Sequence, residues 1–157
     1  MAGTPAKVTI PRLEGARVAL VAAPYHRRIH ELLRSGALRV LEAAGATAVE
    51  LQVPGALEIP PAVAAAARFG RFDAYVALGC VVRGETFHFE LVALESARGL
   101  MRLAVERELA IGNGILTVDD LAQAERRADP EGEDKGGWAA YAALSLLALK
   151  HRLEADR

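Results

Sequence analysis

The chain has 157 residues, 52% of them hydrophobic, which suits one domain with a sizeable core and favours burial over disorder. Nineteen Lys and Arg against twenty Asp and Glu leave a formal charge of -1, so no overall field draws the protein onto nucleic acid or an anionic membrane. Small molecules or other proteins are the expected partners.

Residues Met1 to Glu14 hold prolines and scattered charge without a continuous apolar stretch, fitting neither a signal peptide nor a membrane span. They read as the flexible amino-terminal arm (1–14) of a cytoplasmic protein, ahead of a single domain over 15–157. The sole cysteine, Cys80, sits in the apolar run Tyr75 to Val82 and reads as a buried, inert thiol.

Val18 to Ala23 is a short apolar run ended by Pro24, as expected of a strand buried on both faces of a parallel sheet. Ile29, Leu32, Leu33, Gly36, Ala37, Val40, Leu41 and Ala44 then recur at helical spacing, with Gly45 placed for a left-handed cap. A second strand is predicted over Thr47 to Val53. Pro60-Pro61 fits the first turn of an alanine-rich helix reaching about Phe69.

Tyr75 to Val82, the most apolar run, predicts the central strand. After Gly84 a long helix carries Phe89, Val92, Ala93, Ser96, Leu100 and Leu103 on one face, and Arg102 and Glu106 are spaced to pair on another. A fourth strand is expected over Ala110 to Leu116, a short helix beginning at Thr117-Val118-Asp119, and a last helix from Gly136 or Gly137 towards Leu153. Strands alternating with helices imply a three-layer α/β/α sandwich with a four-stranded parallel, flavodoxin-like sheet. Ligands in such folds gather at the carboxyl ends of the strands, which directs attention to Pro24 to His26, Val53 to Glu58, Val81 to His88 and Leu116-Thr117.

The loop Arg83-Gly84-Glu85-Thr86 leaves the central strand and opens a helix, so glycine freedom and free N–H groups could make an anion site. An ordinary turn capped by Thr86 explains the same residues equally well. His88 falls in the first turn of that helix, and a neutral imidazole there can accept a proton. Glu58 suits a polyhydroxylated ligand, or simply a favourable acid at a helix start. Arg126, Arg127 and Lys135 could deliver cations to a phosphate, or cap a helix carboxyl end. His26 and His30 stand four residues apart, but Arg27 replaces the glutamate of a zinc-protease motif and no third ligand is evident, so no metal is expected. Trp138 and Tyr141 read as packing or interface residues.

Four stretches carry a resemblance: Val53-Pro54-Gly55-Ala56-Leu57-Glu58-Ile59-Pro60; Ala77-Leu78-Gly79-Cys80-Val81-Val82-Arg83-Gly84-Glu85-Thr86-Phe87-His88-Phe89; Gly112-Asn113-Gly114-Ile115-Leu116-Thr117; and Asp134-Lys135-Gly136-Gly137. Together and in this order they resemble 6,7-dimethyl-8-ribityllumazine synthase. The resemblance implies joining of 5-amino-6-(D-ribitylamino)uracil to 3,4-dihydroxy-2-butanone 4-phosphate with loss of phosphate and water, with neither cofactor nor metal. It implies that Tyr25 stacks on the pyrimidine, that Val81 and Val82 hold the ring edge, and that Ala56 and Glu58, with Leu57 between them, hold the ribityl chain. By the same likeness Glu85 and Thr86 face the phosphate and His88 transfers protons. Arg127 and Lys135 would bind phosphate from a neighbouring subunit.

Some positions depart from the commoner family pattern. Tyr25-His26 stands where Phe or Trp followed by Asn is frequent, Pro24 where Arg is common, and Asn113, still counted with the substrate-binding residues, where many members carry an aromatic. Pentamers with sites between subunits are the family's assembly, in some members built into shells. The join Asp129 to Asp134 lacks the Gly-Thr-Lys-Ala-Gly-Asn linker of many shell formers and predicts a free pentamer. Two other readings compete: a non-catalytic flavin- or pyrimidine-binding or shell-forming homologue, and a flavodoxin-like electron carrier. The first predicts a broken phosphate pocket. The second needs a hydroxyl-rich loop where Ala22-Ala23-Pro24-Tyr25-His26 stands.

Overall fold

Alternation of side chains along a strand sends successive residues to opposite faces, and the strand Arg17–Ala22 (β1) is apolar at every position but its first. Val18, Leu20 and Ala22 enter one buried cluster while Ala19 and Val21 enter another. A sheet apolar on both faces must be covered on both. The computed structural model, which describes residues 9–157, shows that arrangement.

Residues 1–8, most of the arm expected over 1–14, lie outside the described residues. Ile10 and Leu13 pack against the core, and the Leu13 N–H donates to the Ala44 carbonyl at 2.8 Å.

The elements follow in the order expected. After β1 come Arg27–Ala43 (α1), Thr47–Gln52 (β2), Ile59–Phe69 (α2), Ala74–Val82 (β3), His88–Glu106 (α3), Ile111–Val118 (β4), Leu121–Ala128 (α4) and Lys135–Ala155 (α5). All strand pairings are parallel, in the order β2-β1-β3-β4, so β3 is central as expected. Helices α1 and α5 contribute Leu33, Ala37, Ala143 and Leu144 to one cluster, whereas α2 and α3 contribute Val63, Val92 and Leu100 to the other. The result is the three-layer α/β/α sandwich.

Helix α1 ends as its sequence dictates. Gly45 has φ +76°, and the N–H groups of Gly45 and Ala46 return to the carbonyls of Glu42 and Leu41, both at 3.0 Å. Two expectations need correction. Thr117 and Val118 do not start a helix: they extend β4, in register with Val81 and Val82, and α4 begins at Leu121 under an Asp120 side chain that accepts from the Gln123 N–H at 2.7 Å. The β-branched pair prolongs the ladder, and the better capping residue sets the helix start. Gly84 lies outside the left-handed region, so the conformational freedom credited to it is not used.

Close packing fixes α5. An alanine Cβ at Gly112 would meet the Ala139 carbonyl oxygen at 1.8 Å, so only glycine lets β4 and α5 approach this far. Asp134 caps α5, accepting from the Gly137 N–H at 3.0 Å, and its other oxygen accepts from Arg39 of α1 at the same distance. Arg39 also reaches the Pro130 carbonyl at 2.7 Å and Glu131 at 2.9 Å. One guanidinium thus ties the join between α4 and α5 to α1.

Candidate active site

Strand order turns between β1 and β3, because the chain leaves β1 towards β2 and then crosses back. Their carboxyl ends flank a crevice of the kind where open α/β sheets hold ligands. A cavity of about 460 Å³ lies there. Its wall is formed by Ala23, Tyr25 and His26 after β1, Gly55 to Glu58 after β2, Cys80 to Val82 of β3, and His88 and Val92 of α3. Seven of the expected site residues therefore meet: Tyr25, Ala56, Leu57, Glu58, Val81, Val82 and His88.

Local structure explains their positions. Ala56–Glu58 forms a short 3-10 turn, a feature with no sequence signal beyond Pro54-Gly55, and it brings Glu58 to the mouth of the crevice with its carboxylate unused for capping. Tyr25 is 78% exposed, so a ring face is open for stacking, and His26 packs edge-on against it at 5.1 Å between centroids. Burial pushes the Cys80 thiol up to about 11, leaving it neutral and a poor nucleophile at pH 7. Among the described residues no Lys or Arg lines this cavity.

Glu85 and Thr86 lie outside the wall, on an exposed loop. Thr86 Oγ1 accepts from the His88 N–H at 3.4 Å, too long for a strong cap. The loop is anchored instead by Arg83, which donates to Glu90 at 2.5 Å and Asp119 at 2.9 Å and lies 4.2 Å from the Phe89 ring centre. Hydrogen bonds from that guanidinium hold both carboxyls below their usual range. Arg83 joins the end of β3 to the start of α3, which carries His88.

The remaining expected residues gather elsewhere. Asn113, Arg127 and Lys135 line a second cavity of about 320 Å³ with Ile115, Leu116, Thr117, Trp138, Ala139 and Ala142. It shares no residue with the first. Arg127 donates to the Gln123 carbonyl at 3.2 Å, and Lys135 stands 3.4 Å from Glu133. Asn113 turns its side-chain oxygen to the Ile115 N–H at 2.9 Å, occupying a backbone donor on the outer strand.

Trp138, read from sequence as packing, helps wall this cavity beside both cations, with Tyr141 at 5.5 Å behind it. Its helical spacing from Lys135 was the available signal. His26, which falls in a strand-end segment expected to meet ligand and stands where Asn is frequent, was given no role at the site, and its pairing with His30 was set aside as a metal site. The two histidines part company in the fold: His26 faces the first cavity, whereas His30 is partly buried, its Nδ1 has no hydrogen-bond partner, and burial lowers its pKa.

Comparison with known proteins gives the family. Residues 15–151 match the family model of 6,7-dimethyl-8-ribityllumazine synthase. The 6,7-dimethyl-8-ribityllumazine synthase of Methylobacterium radiotolerans is 53% identical over 151 residues, covering 96% of this chain and 92% of that one. That of Sphingopyxis alaskensis is 54% identical, over 87% of this chain and 96% of its own. The Rhodopseudomonas palustris protein named 6,7-dimethyl-8-ribityllumazine synthase 1 is 53% identical, over 90% of each. A match at this identity and coverage has one meaning: the chain belongs to the 6,7-dimethyl-8-ribityllumazine synthase family.

Proposed function

We propose that the protein is a transferase that condenses 5-amino-6-(D-ribitylamino)uracil with 3,4-dihydroxy-2-butanone 4-phosphate to 6,7-dimethyl-8-ribityllumazine, phosphate and water, the penultimate step of riboflavin biosynthesis. The observation that carries the reading, beside family membership, is the division of the site into complementary halves. The first cavity offers an open aromatic face, the Glu58 carboxylate and an imidazole but, among the described residues, no Lys or Arg for a phosphate. The second offers Arg127 and Lys135. A phosphorylated ketone needs both, and a mere pyrimidine binder or scaffold needs no cationic half.

The halves meet if copies of the chain associate. Helix α3 exposes Leu91, Leu94, Met101 and Val105, with Phe87 just ahead of it, while α5 exposes Leu146, Leu149 and Leu153. These are two different apolar stripes, each at helical spacing. Docking the first of one copy on the second of the next is a head-to-tail contact, which builds a ring where the rotation closes, rather than a two-fold dimer. The pentamer expected from the resemblance is such a ring, and we infer a free pentamer. Placing a charge in the stripe, as in Leu94→Glu, is expected to break the assembly to monomers and abolish turnover. Light scattering measures the mass, and an intact ring would rule out α3 as the contact.

In the proposed chemistry the uracil amine forms a Schiff base with the ketone, phosphate is eliminated, and ring closure with dehydration gives the lumazine. Holding two substrates together supplies much of the rate, and His88 adds proton transfer. Mixing purified protein with both substrates should raise lumazine absorbance above the spontaneous rate; no increase would refute the function. His88→Ala should lower kcat by about a hundredfold, the lower end of general acid–base contributions, without abolishing turnover.

A further inference from the structure

We propose that His26 is a second acid–base residue of this site, working opposite His88 in the dehydration steps; the assignment rests on the function proposed above. His26 enters from the start of α1 and His88 from the start of α3, and both line one cavity of about 460 Å³, the size of a small-molecule site. Groups from two separate elements therefore face one ligand.

The His26 ring has no structural task. Although it occupies the N-cap position of α1, its side chain makes no capping hydrogen bond. Among the described residues it makes no side-chain hydrogen bond and no ion pair, and its one aromatic contact is with Tyr25. Both ring nitrogens are left for a ligand. The other ionisable groups on the cavity wall serve less well. Glu58 is exposed at the mouth, the Cys80 thiol stays neutral, and Tyr25 offers its exposed ring for stacking.

Loss of water from a carbinolamine needs one proton given and one taken. The C–O bond breaks as an imidazolium protonates the departing oxygen, the nitrogen lone pair forms the C=N bond, and the N–H proton passes to a neutral imidazole. One protonated and one neutral ring enter, and one of each leaves with the roles exchanged. A single histidine would have to reach the departing oxygen and the nitrogen in turn, whereas two rings on one cavity wall serve both atoms at once.

The test is His26→Asn beside His26→Gln and His26→Ala, each checked for an unchanged melting temperature, in the intact assembly. The amides keep a planar donor and acceptor but cannot titrate at neutral pH. Expected are a kcat at least about tenfold lower in all three, KM for both substrates within about twofold, and loss of one limb of the kcat–pH profile. Wild-type kcat in either amide variant, or a profile that keeps both limbs, overturns the assignment and leaves the proposed function standing. A wild-type protein that makes no lumazine overturns both.

Discussion

Replacing Gly136 with alanine is expected to destabilise the protein by about 3 kcal/mol or more, the upper range for overpacking a core. The added Cβ would lie 2.0 Å from the Leu33 carbonyl oxygen and 2.7 Å from its carbon. The obstacle is the backbone of a packed helix, which no rotamer change can move aside. The other side of the contact is tight as well, since a Cβ at Gly36 would meet the Asp134 carboxylate that caps α5 at 2.0 Å. Relief requires α5 to back away from α1, which would disturb the Asp134 cap and displace Lys135 from the second cavity. Chemical denaturation of Gly136→Ala should therefore show a lower midpoint, together with weaker use of the phosphorylated substrate. Gly84→Ala is the control: nothing stands within 4 Å of its Cβ position, and a shift within about 0.5 kcal/mol is expected there. A Gly136 variant as stable as the parent would mean that the two helices separate freely.

The same contrast shows what could be read from sequence. Gly45 was legible because a glycine after a periodic apolar run predicts a left-handed cap, a purely local device. Gly136 and Gly112 were not, because their need for hydrogen in place of a side chain comes from elements distant along the chain. The strands were legible from their apolar runs, except that Thr117-Val118 went to β4: pairing with Val81 and Val82 is long-range information. Seven site residues were legible as a group because they sit at strand ends, where the fold places ligands. The separation of Arg127, Lys135 and Asn113 into another cavity follows only from which side of β4 they occupy. Trp138 was passed over because an aromatic on a helix more often packs than acts, and only the cavity wall distinguishes the two cases. His26 lay in a strand-end segment, but only the cavity wall shows that its side chain lines the crevice.

The divided site leads to the second large effect. Arg127→Ala should raise KM for the phosphorylated ketone by about tenfold to a hundredfold, the value of one charge-assisted hydrogen bond. Glu58→Ala should weaken use of the ribityl substrate instead, so at substrate concentrations below both KM values each variant alone is nearly inactive. Both changes leave the core and the apolar stripes of α3 and α5 untouched, since Glu58 is exposed and, among the described residues, the Arg127 side chain bonds only to the Gln123 carbonyl. Chains co-expressed in equal amounts should assemble at random into mixed rings. About one contact in four would then join an intact first cavity to an intact second one, because a head-to-tail interface takes one half from each copy. Activity should return to about a quarter of wild type, and a tagged pull-down confirms that mixed rings form. If all site residues acted within one chain, every chain in the mixture would still carry a defect. Mixing would then give no more than the sum of the two variants, and the two cavities would have to be joined by movement within a single fold, across β4, rather than by a neighbour.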